Sequence, residues 1–181
     1  MLDNLKNLIA HGSKLIAHNS KLNMTPNETL IQTFYEAFKV KDFKTMGDCY
    51  HPEATFKDEA FDLKGKEIPA MWRMLCGVGA STIIEYSDVK ADDNTGQAHW
   101  EAWYNFSQSG NKVHNIIEAS FTFKDGKILT HRDKFSFYRW SSQSLGMIGK
   151  LLGWTPFLKK QVRERAMGNL RKFIAKHPEY Q

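Results

Sequence analysis

From residue 81 to residue 140 the hydrophobic residues recur at every second position, after a stretch spaced for helices. That change of period restricts the architecture more than any other feature of the chain. A strand turns successive side chains to opposite faces, so each segment of this kind has one apolar and one polar side. Segments 81–91, 97–107, 112–124 and 128–140 read as four strands. Ala98, Trp100, Ala102, Tyr104 and Phe106 share one face of the second. Asn115, Ile117, Ala119, Phe121 and Phe123 share one face of the third. Lys124-Asp125-Gly126-Lys127 is a hairpin turn of the Asp-Gly kind. Strands joined by such short turns form an antiparallel meander.

Helices precede the meander. Either Thr25 or Asn27 caps the first, Glu28 lies in its first turn, and it runs to about Lys39 with Leu30, Ile31, Phe34 and Phe38 on one side. Asp42 caps a short second helix that ends near Tyr50, where His51-Pro52 breaks it. A short strand and turn follow, closed by Gly65, and then a third helix at 66–76 carries Ile68, Met71, Trp72 and Leu75. The chain is helical again after the meander. Thr155-Pro156 starts the last helix, whose Leu158, Val162, Ala166, Leu170, Phe173 and Ile174 face inward. Helices first and a curved sheet after them read as α+β, with the helices covering one face. The expected organisation is an amphipathic leader at 1–23, a domain at 24–140, and a helical extension at 141–181 packed on that domain.

At 181 residues and 41% hydrophobic content, the chain buries a core as one domain. No apolar run approaches the roughly 20 residues that span a bilayer. Cys49 and Cys76 form no disulfide framework and no zinc pattern, and read as reduced thiols of a cytoplasmic protein. The net charge is +5, yet residues 150–181 alone carry +6, so the body sums to −1. That basic tail reads as a solvated helix face with its apolar side docked. It lacks the basic–aromatic interleaving of single-strand nucleic-acid binders, so neither nucleic acid nor a membrane is an expected partner.

In the fourth strand, His131 and Asp133 fall on the face marked by Leu129, Phe135 and Phe137. An unpaired charge there would cost several kcal/mol. The two therefore either satisfy each other in a polar network or serve in a pocket, and the residues alone leave both open. Arg132 falls on the other face, with His99, Glu101, Trp103, His114 and Glu118. That outer face suits a dimer interface or contact with the C-terminal helices.

The order of a helix, then "DFKTMGDCYHPEATFKDEAF" and "LKGKEIPAMWRML", then a hairpin-linked meander resembles the NTF2-like superfamily. Within it, the chain looks like the SnoaL-like and ketosteroid-isomerase-like branch, over about residues 25–140. "HRDKFSFYRWSSQSLGMIGKLLGWTP" is similar to a limonene-epoxide-hydrolase-like subset. The resemblance implies a cone with an apolar pocket closed by helices, often dimeric through the outer sheet face. The fold hosts isomerases, cyclases, dehydratases, hydrolases and plain binding modules, so it does not settle function. Ketosteroid isomerases use an Asp base with a Tyr and a protonated Asp as oxyanion donors. The base position falls on Asp58, but the donor positions fall on Phe34 and Ala119. The acid on the last strand of cyclases and epoxide hydrolases corresponds to Asp133, while the hydrolases' Arg-x-Asp is missing from 100–104.

The resulting expectation is a pocket lined by Trp72, Trp100, Tyr104, Asn115, Ile117, Phe121, Phe135 and Phe34, with Asp133, His131 and Asp58 as the chemical groups. Asp133 or Asp58 would remove a proton beside a carbonyl or activate water, and His131 would shuttle it. No cofactor or metal is expected, and the ligand is a small apolar molecule. A non-catalytic binding module using the same cavity is the alternative.

Overall fold

The computed structural model describes residues 24–78 and 81–181, so the expected leader lies outside the described residues. Helix α1 (Pro26–Lys39) starts with a reciprocal cap. The Thr25 hydroxyl accepts from Glu28 N–H at 3.1 Å, and the Glu28 carboxylate accepts from Thr25 N–H at 2.8 Å. Helix α2 (Phe43–Asp48) is capped by Asp42, which accepts from Thr45 N–H at 3.1 Å. It stops short of Tyr50. His51 and Pro52, expected to sit in a break, lie inside strand β1 (Tyr50–Lys57). The ladder shifts register between Tyr50 and Thr55, which is where a proline without an N–H is tolerated.

Strand β2 (Asp62–Lys64) and helix α3 (Glu67–Val78) lead into the meander of β3 (Ile83–Ala91), β4 (Thr95–Asn105), β5 (Lys112–Lys124) and β6 (Lys127–Lys134). The six strands form one sheet in the order β2-β1-β6-β5-β4-β3. Only the β1–β6 pair is parallel. The architecture is α+β: a curved, mostly antiparallel sheet with helices packed on it. The inward residues Ala98 and Trp100 of β4 lie opposite Ala119 and Ile117 of β5 in the core.

The fourth meander strand is shorter than its pattern suggests. It ends at Lys134, and residues 137–144 form helix α4 (Phe137–Ser144) instead. Ser136 caps this helix by accepting from Arg139 N–H at 3.2 Å, and Phe137, Ser141 and Ser144 are buried at helical spacing. Phe135 and Phe137 continue the alternation by coincidence, because the capping serine between them ends the strand. A bulge corrects a second expectation. Thr122 pairs with Thr130 but Phe123 pairs with Ile128, which leaves Leu129 as an extra residue. Ile128 is therefore fully buried and Leu129 is only half-buried.

Helix α5 (Met147–Leu152) and helix α6 (Pro156–Ala175) follow. Thr155 caps α6 by accepting from Leu158 N–H at 3.3 Å. Leu158 and Leu170 are buried, and Val162, Ala166, Phe173 and Ile174 are half-buried, so the inward stripe read from the sequence is the one that docks. Beyond α6 the chain is tied back to α3: Arg73 forms an ion pair with Glu179 and lies over the rings of Phe43 and Tyr180.

Candidate active site

Strand β6 delivers the central groups. Because it is flanked by β1 and β5, its inward side chains sit in the middle of the sheet. His131 is 1% exposed and Asp133 is 4% exposed. The imidazole is enclosed by five rings, those of Phe34, Tyr50, Phe56, Trp72 and Phe121. Both of its nitrogens are engaged. Nδ1 lies 2.6 Å from Tyr50 Oη, and Nε2 lies 3.0 Å from Asp133 Oδ1.

The donors assign the direction of this chain. Trp72 Nε1–H donates to Tyr50 Oη at 3.1 Å, so the tyrosine oxygen is already an acceptor and its own proton goes to His131 Nδ1. The imidazole then carries its proton on Nε2 and donates it to Asp133. Trp100 Nε1–H donates to the same Asp133 oxygen, Oδ1, at 3.2 Å. Oδ2 receives no hydrogen bond from the described residues and belongs to a side chain that lines a cavity. Burial drives the Tyr50 hydroxyl well above the ordinary phenol range, so it stays a donor.

The cavity has a volume of about 1100 Å³ and lies between the sheet, α3 and α6. Asp58 reaches it from the loop after β1. Its Oδ1 accepts from Ala60 N–H at 2.7 Å and from Phe61 N–H at 2.5 Å, which holds the turn between β1 and β2. Desolvation raises its pKa from 3.8 to about 7; the two turn amides oppose the rise, and the charge on Asp133 adds to it. Tyr104 stands on the same wall, accepts from Trp140 Nε1–H at 2.8 Å, and is held above the usual phenol range first by burial. Among the described residues no group of three or more His, Cys, Asp or Glu is placed to hold a metal.

The expected site residues therefore divide. Asp133, Asp58, Trp72, Trp100, Tyr104, Asn115, Ile117 and Phe135 all line the one cavity. His131, Phe34 and Phe121 do not reach it: the two phenyl rings pack on the imidazole, which sits behind Asp133. Tyr35, one residue after Phe34, turns away to stack on Tyr86, and its buried hydroxyl has no hydrogen-bond partner among the described residues. Tyr50 and Trp140 escaped the sequence reading. The helical spacing before Tyr50 places it at a helix end, and Trp140 lies on the cavity only because α4 is a helix, for which the capping Ser136 is the one local signal. On the outer face, Glu101 bridges His99 and His114, and the Arg139 guanidinium of α4 lies 3.4 Å from His114 Nδ1, so part of that face does meet the C-terminal helices.

Residues 31–131 match the family model described as SnoaL-like domain. The chain belongs to the SnoaL-like domain family. No curated protein sequence matches this SnoaL-like chain. Solved structures resemble it at low identity. An LEH-like epoxide hydrolase of M. tuberculosis is 17% identical, with 70% of this chain and 95% of that one covered and a TM-score of 0.54. IdmH from Streptomyces antibioticus, a proposed polyketide cyclase, is 16% identical, with 68% and 100% covered and a TM-score of 0.56. TerC, co-crystallised with polyporic acid, is 14% identical, with 67% and 100% covered and a TM-score of 0.58. At such identities the likeness establishes the fold, an NTF2-like cone.

Proposed function

We propose that this SnoaL-like protein is a cofactor-independent acid–base enzyme for a small, largely apolar molecule with an enolisable carbonyl. The observation that carries the reading is a pair of carboxyl groups on one apolar cavity, in unlike environments. Asp133 is oriented through Oδ1 by His131 and Trp100, and its Oδ2 is the base that takes a proton from the carbon beside the carbonyl. Asp58 retains its proton up to about pH 7 and gives it to the carbonyl oxygen, which forms the enol. Return of the proton to a different carbon isomerises the substrate, and attack of the enol carbon on a second carbonyl closes a ring. His131, behind Asp133, is a positioning residue. The complex of TerC with polyporic acid agrees with a small-molecule ligand in a fold of this kind.

A binding role without catalysis is the second reading. It is favoured by the two amides on Asp58 Oδ1, which is how an aspartate that only shapes a turn is held. Pairing of two copies through the outer sheet face, and a cytoplasmic location suggested by the free Cys49 and Cys76, belong to the proposal as well.

The two readings separate in one experiment. Polycyclic ketones are screened by thermal shift, and those that raise Tm are incubated with protein in D2O and weighed by mass spectrometry. The enzyme reading expects deuterium beside the carbonyl with the wild type and not with Asp133→Asn, which still shows the thermal shift. Exchange should slow as pH rises through about 7, because Asp58 loses its proton there. Thermal shifts with exchange no faster than in buffer would establish the binding role instead.

A further inference from the structure

Helix α5 is built inside out. Its buried positions are glycines and its exposed positions are large hydrophobics. A Cβ on Gly149 would stand 1.8 Å from the carbonyl oxygen of Ser141, and one on Gly153 would stand 2.3 Å from the Ser141 hydroxyl. The helix is thus pressed backbone to backbone on α4, and no room remains for an apolar side chain between them. Its hydrophobic residues face solvent: Met147 is 66% exposed, Ile148 59%, Leu151 64% and Leu152 41%. Trp154 at 74% and Phe157 at 64% extend the patch past the helix end. Six of the nine exposed large hydrophobics among the described residues fall within these eleven positions. A concentration of this kind marks an interaction surface.

The charge around it indicates the partner. Residues 134–163 contain no aspartate or glutamate and carry Lys134, Arg139, Lys150, Lys159, Lys160 and Arg163. Lys150 is exposed on α5 itself; Lys160 follows Phe157 by one helical turn of α6 and its side chain is 74% exposed, 3.8 Å from the exposed Glu164 carboxylate, while Lys159 pairs with Glu59. Trp, Phe and Leu flanked by lysines are the composition of a segment that lies in the headgroup layer of an anionic bilayer. No helix among the described residues is long and apolar enough to cross one. Ile148 belongs both to the patch and to the cavity wall, as does the neighbouring Leu145 to the wall, so the cavity reaches the surface beside the patch.

We infer that Met147–Phe157 is a docking surface for an anionic lipid bilayer, which seats the mouth of the cavity at the membrane interface. The inference is independent of any reaction within the cavity. The test is flotation of the full chain with vesicles of phosphatidylcholine alone or with about one-third phosphatidylglycerol. Three proteins are compared: wild type, Trp154→Ser/Phe157→Ser, and Lys150→Glu/Lys160→Glu. All four substituted positions are exposed, so circular dichroism and Tm should stay as in wild type. Wild type should float with the anionic vesicles and much less with the neutral ones. Each variant should weaken partitioning at least about tenfold, given what burial of one aromatic side chain contributes in the first and what the attraction of two lysines to anionic lipid contributes in the second. Absence of flotation would overturn the inference, as would flotation that neither variant changes. An aromatic variant that alters only the oligomeric state, read by light scattering, would assign the patch to a second copy and overturn it too.

Discussion

Replacing Asp58 by Asn should make the protein more stable at pH 8 and leave it nearly unchanged at pH 4. The Asp58 carboxyl is desolvated at the cavity wall, and its pKa rises from 3.8 to about 7. In that interval the folded protein holds a proton that the unfolded chain has released. Stability therefore falls as pH rises through the interval and levels off above about 7. At ~1.4 kcal/mol per pH unit the whole rise is worth about 4 kcal/mol. Water on the cavity side of the half-buried side chain screens part of it, so about 2–4 kcal/mol is expected. An asparagine keeps an Oδ1 to accept from Ala60 and Phe61 N–H and carries no charge, so the turn survives while the pH-dependent penalty disappears. The assay is urea unfolding of both proteins from pH 4.5 to pH 9, with the slope m checked for constancy. The difference between them should grow with pH and flatten above about 7. A difference independent of pH, or a variant less stable than wild type at pH 8, would refute the reasoning.

Tyr50→Phe removes the proton donated to His131 Nδ1 and the acceptor of Trp72 Nε1, leaving two buried groups unpaired. A loss of about 2–4 kcal/mol is expected in urea unfolding, since each unsatisfied group costs about 1–3 kcal/mol. Gly149→Ala places a methyl group in the space of the Ser141 carbonyl, so α5 must lift from α4. It should lower stability by about 1–3 kcal/mol and speed hydrogen exchange at the α5 amides, whereas Gly110→Ala, in open space though at φ +72°, should disturb no packing.

The parts of the fold that were legible in the sequence are those fixed by neighbours along the chain. Thr25 with Glu28, Asp42 with Thr45, and Asp125-Gly126 each close a structure within a few residues, and their elements lie where the sequence put them. The alternation of Trp100, Ala102 and Tyr104 against Asn115 and Ile117 likewise placed one wall of the cavity. What depends on distant packing was less visible. Alternation says that His131 and Asp133 share a face, but not that five rings close over the first while a cavity opens beside the second. The docking of α6 brings Val162, Ala166 and Phe173 to the cavity across about a hundred residues of chain, and no local spacing encodes that. Nor does local spacing say that glycine contact with the Ser141 backbone turns the apolar residues of α5 outward.

The extra residue in β6 bears on the tolerance of this site to change. The Asp-Gly turn fixes the phase of the hairpin at one end, with Lys124 opposite Lys127 and Phe123 opposite Ile128. Unbroken alternation from Ile128 would send residues 131 and 133 to the outer face, and Leu129 shifts the count by one so that His131 and Asp133 arrive inside. The direction of both side chains is thus held by a parity of chain length and not by either residue's chemistry. Substitutions at Leu129 leave that parity intact, whereas deletion of a single residue between the turn and His131 inverts it. This short loop-proximal stretch is then closed to the length variation that hairpin ends normally absorb.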